Sequence, residues 1–196
     1  MTQSIGPGII FTLVGPGGAG KNTLMKRVIP QIDNLYQLAT ATTRDMRPGE
    51  QNGREHLFIS RDTFNQWIEE SRLLEYQEVH PGKYYGVPRE PLENALREGR
   101  NLIADIEIAG AKAIAEAYPL NTVLIFIAAP LDALEQRMRE RGESEDGVRE
   151  RMNRAKAELD FAPQCHEYIL NEDQDEAAQQ LHDLILKWRE LHKVKA

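Results

Sequence analysis

The sequence predicts an α/β fold: a parallel sheet core flanked by helices, interrupted by one inserted lobe. Three observations carry this. Short, continuous apolar runs alternate with segments of helical period, as expected for strands buried on both faces and their crossover helices. The first apolar run, residues 9–14, stops at a glycine cluster that leads into a helix. Residues 40–88 break the alternation, being richer in Gly, Arg and aromatic side chains. At 196 residues the chain fits a single domain, 1–196, carrying that insertion.

The elements follow in order. Residues 9–14 are β-rich and form the first strand. Thr23, Leu24, Met25 and Val28 suit a short helix that Pro30 stops. Within the insertion, strand-like pieces at 56–59, 74–79 and 84–86 surround one helix around Phe64, Trp67 and Ile68. Residues 102–106 and 122–127 are two more buried strands, joined by an alanine-rich helix over Ile108–Ala117 that Tyr118-Pro119 closes. A helix over 131–141 begins after Pro130 and ends at Gly142. Glu145–Leu159 and 175–191 are further helices, with a strand at 168–170 between them; Leu181, Leu184, Ile185 and Trp188 form one apolar stripe on the last. Strand–helix–strand units of this kind pack economically as helices on both sides of a parallel sheet. The core is expected at 8–39, 89–135 and 160–196, the lobe at 40–88 and a helical lid at 136–159.

Composition excludes several classes. Twenty-four Lys+Arg against 31 Asp+Glu give a net charge of −7, which argues against binding to a nucleic-acid backbone while leaving room for a small anion in a locally basic pocket. With 41% hydrophobic residues, a sizeable core is expected rather than disorder. Cys165 is the single cysteine, so neither an intrachain disulfide nor a Cys-rich zinc site is available. The most apolar runs, 9–14 and 122–129, are far shorter than the roughly 20 residues of a membrane span. The leading MTQSIGPG lacks a secretory pattern, so a cytoplasmic protein without membrane partners, monomeric or homo-oligomeric, is expected.

The strongest chemical signal is Gly15-Pro16-Gly17-Gly18-Ala19-Gly20-Lys21-Asn22-Thr23, a G-x-x-x-x-G-K loop between a buried strand and a helix. Glycines allow successive backbone N–H groups to turn inward around phosphates, and the helix N-terminus adds positive potential. Lys21 then reaches the terminal phosphates. This is a P-loop, and it implies a nucleotide. Asn22 stands where Ser or Thr usually ligates Mg²⁺; its amide oxygen, Thr23 one position later, or a water-mediated contact are the alternatives.

A second anion site is suggested by Thr40-Ala41-Thr42-Thr43-Arg44-Asp45-Met46-Arg47-Pro48-Gly49-Glu50, where two arginines present planar forks beside a turn. Downstream lie Gly53-Arg54-Glu55-His56-Leu57-Phe58, Leu74-Glu75-Tyr76 and Tyr84-Tyr85-Gly86. Asp105 and Glu107 occupy the carboxyl end of a buried strand, where open α/β sheets bind ligands. Glu107 suits equally the cap of the following helix. Arg137 and Arg141 lie one turn apart on one helix face, with Arg151 beyond an acidic loop. That spacing suits a lid that closes over phosphates; Glu135, Glu140, Glu143, Glu145 and Glu150 make a salt-bridged solvent face the alternative.

Taken together, these motifs resemble the guanylate kinase family of nucleoside monophosphate kinases, from about residue 9 to 191. The resemblance implies a P-loop core, a GMP-binding lobe, a mobile lid, and transfer of the terminal phosphoryl of ATP to GMP (or dGMP) with Mg²⁺. It implies that Gly15, Gly17, Gly18, Ala19, Gly20, Lys21, Asn22 and Thr23 hold ATP, with Asn171 at the adenine. It places Arg44, Arg47 and Tyr85 on the GMP phosphate, Thr40 and Glu75 on the guanine, and Asp105 near the acceptor or, through water, the metal. Lys21, Arg44, Arg137, Arg141 and Arg151 would supply the charge for transfer. Glu75 has independent support: guanine offers adjacent N–H and amino donors to a carboxylate, whereas adenine presents an acceptor there. Five features depart from the family pattern. His56 replaces a phosphate-binding tyrosine, Val87 replaces a base-contacting hydroxyl, Ala41 is a milder change, and the loop at 80–82 is one residue longer. Glu107 also replaces the usual Asp. A related ribose 1,5-bisphosphate phosphokinase and a non-catalytic guanylate-kinase-like interaction module are the alternative readings.

Overall fold

The computed structural model describes residues 4–140, 142 and 144–195. Arg141, expected in the lid, lies outside the described residues. Strand β1 (Ile10–Val14) leads through the glycine loop into α1 (Lys21–Val28), and β2 (Leu35–Gln37) follows. The lobe contains β3 (Thr40–Thr42), β4 (His56–Phe58), α2 (Arg61–Glu69), β5 (Leu73–His80) and β6 (Lys83–Pro88). The chain then returns to the core through α3 (Arg89–Arg97), β7 (Asn101–Asp105), α4 (Ile108–Ala117) and β8 (Thr122–Ala128). It ends with α5 (Leu131–Glu140), α6 (Glu145–Leu159), β9 (Glu167–Leu170) and α7 (Gln174–Lys195).

The core sheet has the order β2-β7-β1-β8-β9 and every pairing in it is parallel. Its central strand explains the unbroken apolar run: Phe11 and Leu13 pack with α1 and α7, while Ile10 packs with Leu92, Leu96 and Ile114 on the other side. Burial of each such side chain contributes about 1.5–3 kcal/mol, which selects β-rich apolar residues at every position of the strand. The stripe on α7 is used as expected, with Leu181 and Ile185 fully buried and Leu184 and Trp188 packed against the same cluster.

The lobe sheet has the order β4-β3-β6-β5, with β3–β4 parallel and the other pairs antiparallel. Its small core is Ala41, Phe64 and Leu73, bordered by Trp67, Ile68 and Tyr84. A parallel pair needs a crossover, and here residues 43–55 make it without helix or strand, which projects Arg44, Arg47 and Glu50 toward the core sheet. The edge of the lobe nearest the core is β5, which packs against α4.

Three elements had no counterpart in the sequence expectation: β2, β3 and α3. The strands are three residues each, too short to show a period of two. Helix α3 starts directly after the Pro88 strand end, and its buried set, Leu92, Ala95 and Leu96, is an amphipathic signal that was legible. Pro30 does not stop the chain abruptly; it lies in a 3₁₀ turn, Ile29–Gln31, that prolongs α1. That turn tolerates proline because its first residues have no helical hydrogen bond to lose.

Candidate active site

The glycine loop joins the carboxyl end of β1 to the N-terminus of α1, and two of its glycines are sterically required. Gly15 has φ +128° and a Cβ there would lie 2.2 Å from the Ile127 carbonyl oxygen on β8. Gly20, the residue before α1, has φ +93°, and its Cβ would lie 2.2 Å from Nδ2 of Asn171. Lys21 folds over the loop, its Nζ donating to the Gly15 carbonyl at 2.5 Å and the Pro16 carbonyl at 3.1 Å, with Asp105 at 3.7 Å. In this arrangement the ammonium group already sits above the ring of backbone groups.

Two residues expected at the donor are packed into this loop. Asn171, expected to face an adenine, has no exposed surface; its Nδ2 donates to the Ala19 carbonyl at 2.7 Å and braces the loop from beneath. Ala19 is likewise fully buried, and its N–H donates to the Pro16 carbonyl at 3.0 Å rather than facing a ligand. Both residues build the cradle. Asn22 and Thr23 are exposed at the first turn of α1 and line the cleft.

Across the cleft, the crossover between β3 and β4 forms an arginine clamp. Arg44 is buried to 7% exposure and is gripped by Glu50 through two hydrogen bonds, Nη1 to Oε2 at 2.7 Å and Nη2 to Oε1 at 2.6 Å. Its Nε donates to the Tyr85 hydroxyl oxygen at 3.1 Å, and Nη1 also donates to the Asp45 carbonyl at 2.8 Å. The guanidinium holds the Glu50 carboxyl down to about 2, and Glu50 in turn raises Arg44. Glu50 also accepts the Arg47 backbone N–H at 2.8 Å, which fixes the turn that presents Arg47 at the rim of the cleft.

His56 stands beside this clamp on β4. Its Nδ1 shares a hydrogen bond with Thr40 Oγ1 at 2.7 Å, and its ring packs edge-on against Tyr85 and Phe58. Burial, and then the nearby Arg44 cation, push its pKa down, so the ring favours the neutral form. A tyrosine at this place would offer a hydroxyl; the neutral histidine has one ring N–H, and its Nδ1 is shared with Thr40.

Three carboxylates occupy the cleft floor. Burial, with a smaller push from Glu107, raises Glu75; its Oε2 lies against Gly110, where a Cβ would sit 3.1 Å away. Loss of hydration raises Asp105 as well, Lys21 opposing and Glu107 adding to the shift. Glu107 caps no N–H of α4 with its side chain, contrary to one sequence reading; it pairs with Arg154 of α6 at 2.5 Å. Arg154 thereby links α6 to the loop after β7, and is itself held by Glu158 of the same helix at 2.9 Å.

Arg137 of α5 and Arg151 of α6 both reach the glycine loop. Arg137 donates to the Gly18 carbonyl at 3.0 Å, and Arg151 lies so close to Gly17 that a Cβ there would be 2.7 Å from its Nη2. Gly17, Gly18, Gly20, Lys21, Asn22, Thr23, Thr40, Arg44, Arg47, His56, Glu75, Tyr85, Asp105 and Arg151 all line one cavity of about 670 Å³. Its volume lies within the range of small-molecule sites, and its two ends are each furnished for an anion.

The family model described as guanylate kinase matches residues 9–188. The chain belongs to the guanylate kinase family. It is by that membership a nucleoside monophosphate kinase. A guanylate kinase of Maricaulis maris is 40% identical over 183 residues, covering 91% of this chain and 82% of that relative. One from Nostoc is 40% identical over 174 residues, covering 88% and 86%. A crystal structure of guanylate kinase from Anaplasma phagocytophilum superposes with TM-score 0.74 at 27% identity, over 93% of this chain and 86% of that one.

Within this guanylate kinase fold, Glu50 and Gln77 stand out as cleft residues that sequence reasoning gave no specific role at the site. Glu50 was visible as the last residue of the arginine motif, but only the fold shows its carboxylate turned back on Arg44. Gln77 was signalled by its spacing of two from Glu75 on one strand. Cys165 is free, as expected, and burial pushes its thiol up to about 11, which leaves it unreactive. Among the described residues, no helix is long and apolar enough to cross a membrane.

Proposed function

We propose that this enzyme transfers the terminal phosphoryl group of ATP to GMP, giving ADP and GDP, with the glycine loop holding the donor and the lobe holding the acceptor. One observation carries the reading: a single cavity has a phosphate cradle at one end, a carboxylate-locked arginine at the other, and a carboxylate, Glu75, fit for the donor edge of guanine between lobe and core. Backbone N–H groups of Gly15, Gly17, Gly18 and Gly20, with Lys21, take the ATP phosphates. Arg44, Arg47, Tyr85 and His56 take the GMP phosphate, and Thr40 and Glu75 take the base.

The attacking atom is an oxygen of the GMP phosphate, already anionic, so no strong general base is required. It forms a bond to the terminal phosphorus of ATP as the bond from that phosphorus to the bridging oxygen of ADP breaks. Catalysis is then alignment of two phosphates and neutralisation of their charge by Lys21, Arg44, Arg137, Arg141 and Arg151. Closing the lobe and the lid excludes water that would otherwise hydrolyse ATP. Magnesium fits the donor set: Asn22, Thr23 and Asp105 bring hard oxygens to the cleft, and this ion is ordinarily held by one or two carboxylates plus substrate phosphates and waters. Bound there, it would neutralise phosphate charge.

The test is a panel of acceptors, GMP, dGMP, AMP, UMP and ribose 1,5-bisphosphate, offered with Mg-ATP to wild type and Glu75→Gln. Turnover is expected with GMP and dGMP alone. The variant should lose about 10²- to 10³-fold in kcat/KM for GMP, because one acceptor becomes a donor facing donors, with ATP affinity retained. Turnover confined to the sugar bisphosphate would overturn the acceptor, and absence of both transfer and ATP binding would make the chain an interaction module.

A further inference from the structure

We propose that Gln77 reads the ribose of the acceptor, hydrogen-bonding its 2′-hydroxyl and so setting a preference for GMP over dGMP. The inference rests on the cavity being the GMP site. Strand β5 presents Glu75, Gln77 and Val79 to that cavity, alternate residues and therefore one face of the strand. On the neighbouring strand β6, Val87 stands opposite Glu75 and Tyr85 opposite Gln77, and both also line the cavity.

Both neighbours of Gln77 in this patch, Glu75 along the strand and Tyr85 across from it, are chemically spoken for. Glu75 faces the donor edge of the base, and the Tyr85 hydroxyl accepts from Arg44 within the phosphate clamp. Gln77 lies one pleat beyond Glu75, about 6.8 Å along the strand. In GMP the sugar stands between the donor edge of guanine and the phosphate. A nucleotide with its base on Glu75 and its phosphate on Arg44 and Tyr85 therefore carries its sugar past Gln77.

The chemistry agrees with the position. The Gln77 side chain is half-buried, and its amide makes no hydrogen bond among the described residues. Nearby polar groups are engaged or missing: Thr40, assigned to the base, shares a hydrogen bond with His56, and Val87 has no polar group to give. An amide offers both a donor and an acceptor, matching a hydroxyl that also does both. A carboxylate at this place would add charge near an anionic phosphate, whereas a neutral amide does not.

The experiment measures KM for GMP and for dGMP at saturating Mg-ATP in wild type, Gln77→Ala and Gln77→Met, with thermal melting of each. The methionine keeps most of the side-chain volume and removes the hydrogen bond, so a cavity effect and a lost bond are told apart. Wild type is expected to show a KM for dGMP about three- to tenfold above that for GMP, the worth of one neutral hydrogen bond. In both variants that ratio should fall toward one as GMP weakens. A wild-type ratio near one, an unchanged ratio in the variants, or an equal loss for both nucleotides would overturn the role of Gln77. Failure of wild type to phosphorylate GMP at all would instead overturn the assignment of the cavity.

Discussion

Glu50 converts Arg44 from a flexible surface cation into a fixed fork. An arginine side chain carries about 2 kcal/mol of rotamer entropy, and two hydrogen bonds from its own loop remove that cost before any phosphate arrives. The acid dependence of stability should report this pair. The Glu50 carboxyl titrates at about 2 in the folded protein against an ordinary 4.5. Its folded value is depressed, so its contribution is present above about pH 4.5 and is lost as pH falls toward 2. Glu50→Gln should therefore cost on the order of 1–2 kcal/mol at pH 7, solvent screening allowed for, with a smaller cost near pH 2.5. Denaturant unfolding at the two pH values checks it, and an equal cost at both would show that the carboxylate charge is not what holds Arg44.

At the scale of elements, the glycine loop is held in shape from below as much as by its own sequence. Gly20 turns the chain into α1 through a left-handed conformation, and the space its missing side chain leaves is filled by the Asn171 amide arriving from the end of β9. Asn171→Ala removes the donor to the Ala19 carbonyl in a fully buried place. We expect a stability loss of about 1–3 kcal/mol from the unpaired carbonyl and the void, and a clear weakening of ATP with GMP affinity little changed. Unfolding curves and calorimetric titration with each nucleotide check this. Equal weakening of both ligands would mean that the residue supports the whole molecule rather than the loop.

For the whole molecule, the two proposed anion sites belong to different sheets, one on the parallel core and one on the lobe, and the cleft between them is polar and rich in charge. A ligand that bridges such a cleft binds only the folded form and stabilises it by mass action. At about 100 times its Kd, GMP should add about 2.7 kcal/mol, which for a chain of 196 residues raises Tm by about 5–10 °C. AMP at the same concentration should leave Tm unmoved, since its base edge presents an acceptor to Glu75. Scanning calorimetry with each nucleotide checks this, and equal shifts would remove the base from recognition.

The sequence alone determined the longer strands, every helix of ten or more residues and the glycine loop, because these are local: an apolar run bounded by glycine and proline, a 3.6-residue stripe, a loop of fixed glycine spacing. Helices Ile108–Ala117 and Glu145–Leu159 were legible to the residue for that reason. Short β2 and β3 were not, since three residues carry no period and exist only where a neighbouring strand supplies hydrogen bonds. Only the tertiary structure decided which way side chains of ambiguous chemistry turned. Asn171 went under the loop rather than into the cleft, Glu107 went to Arg154 rather than to a helix cap, and Glu50 went back onto Arg44. Each of those choices depends on partners 47 or more residues away or on the path of an irregular crossover, and pairings of that kind leave no periodic trace in the chain.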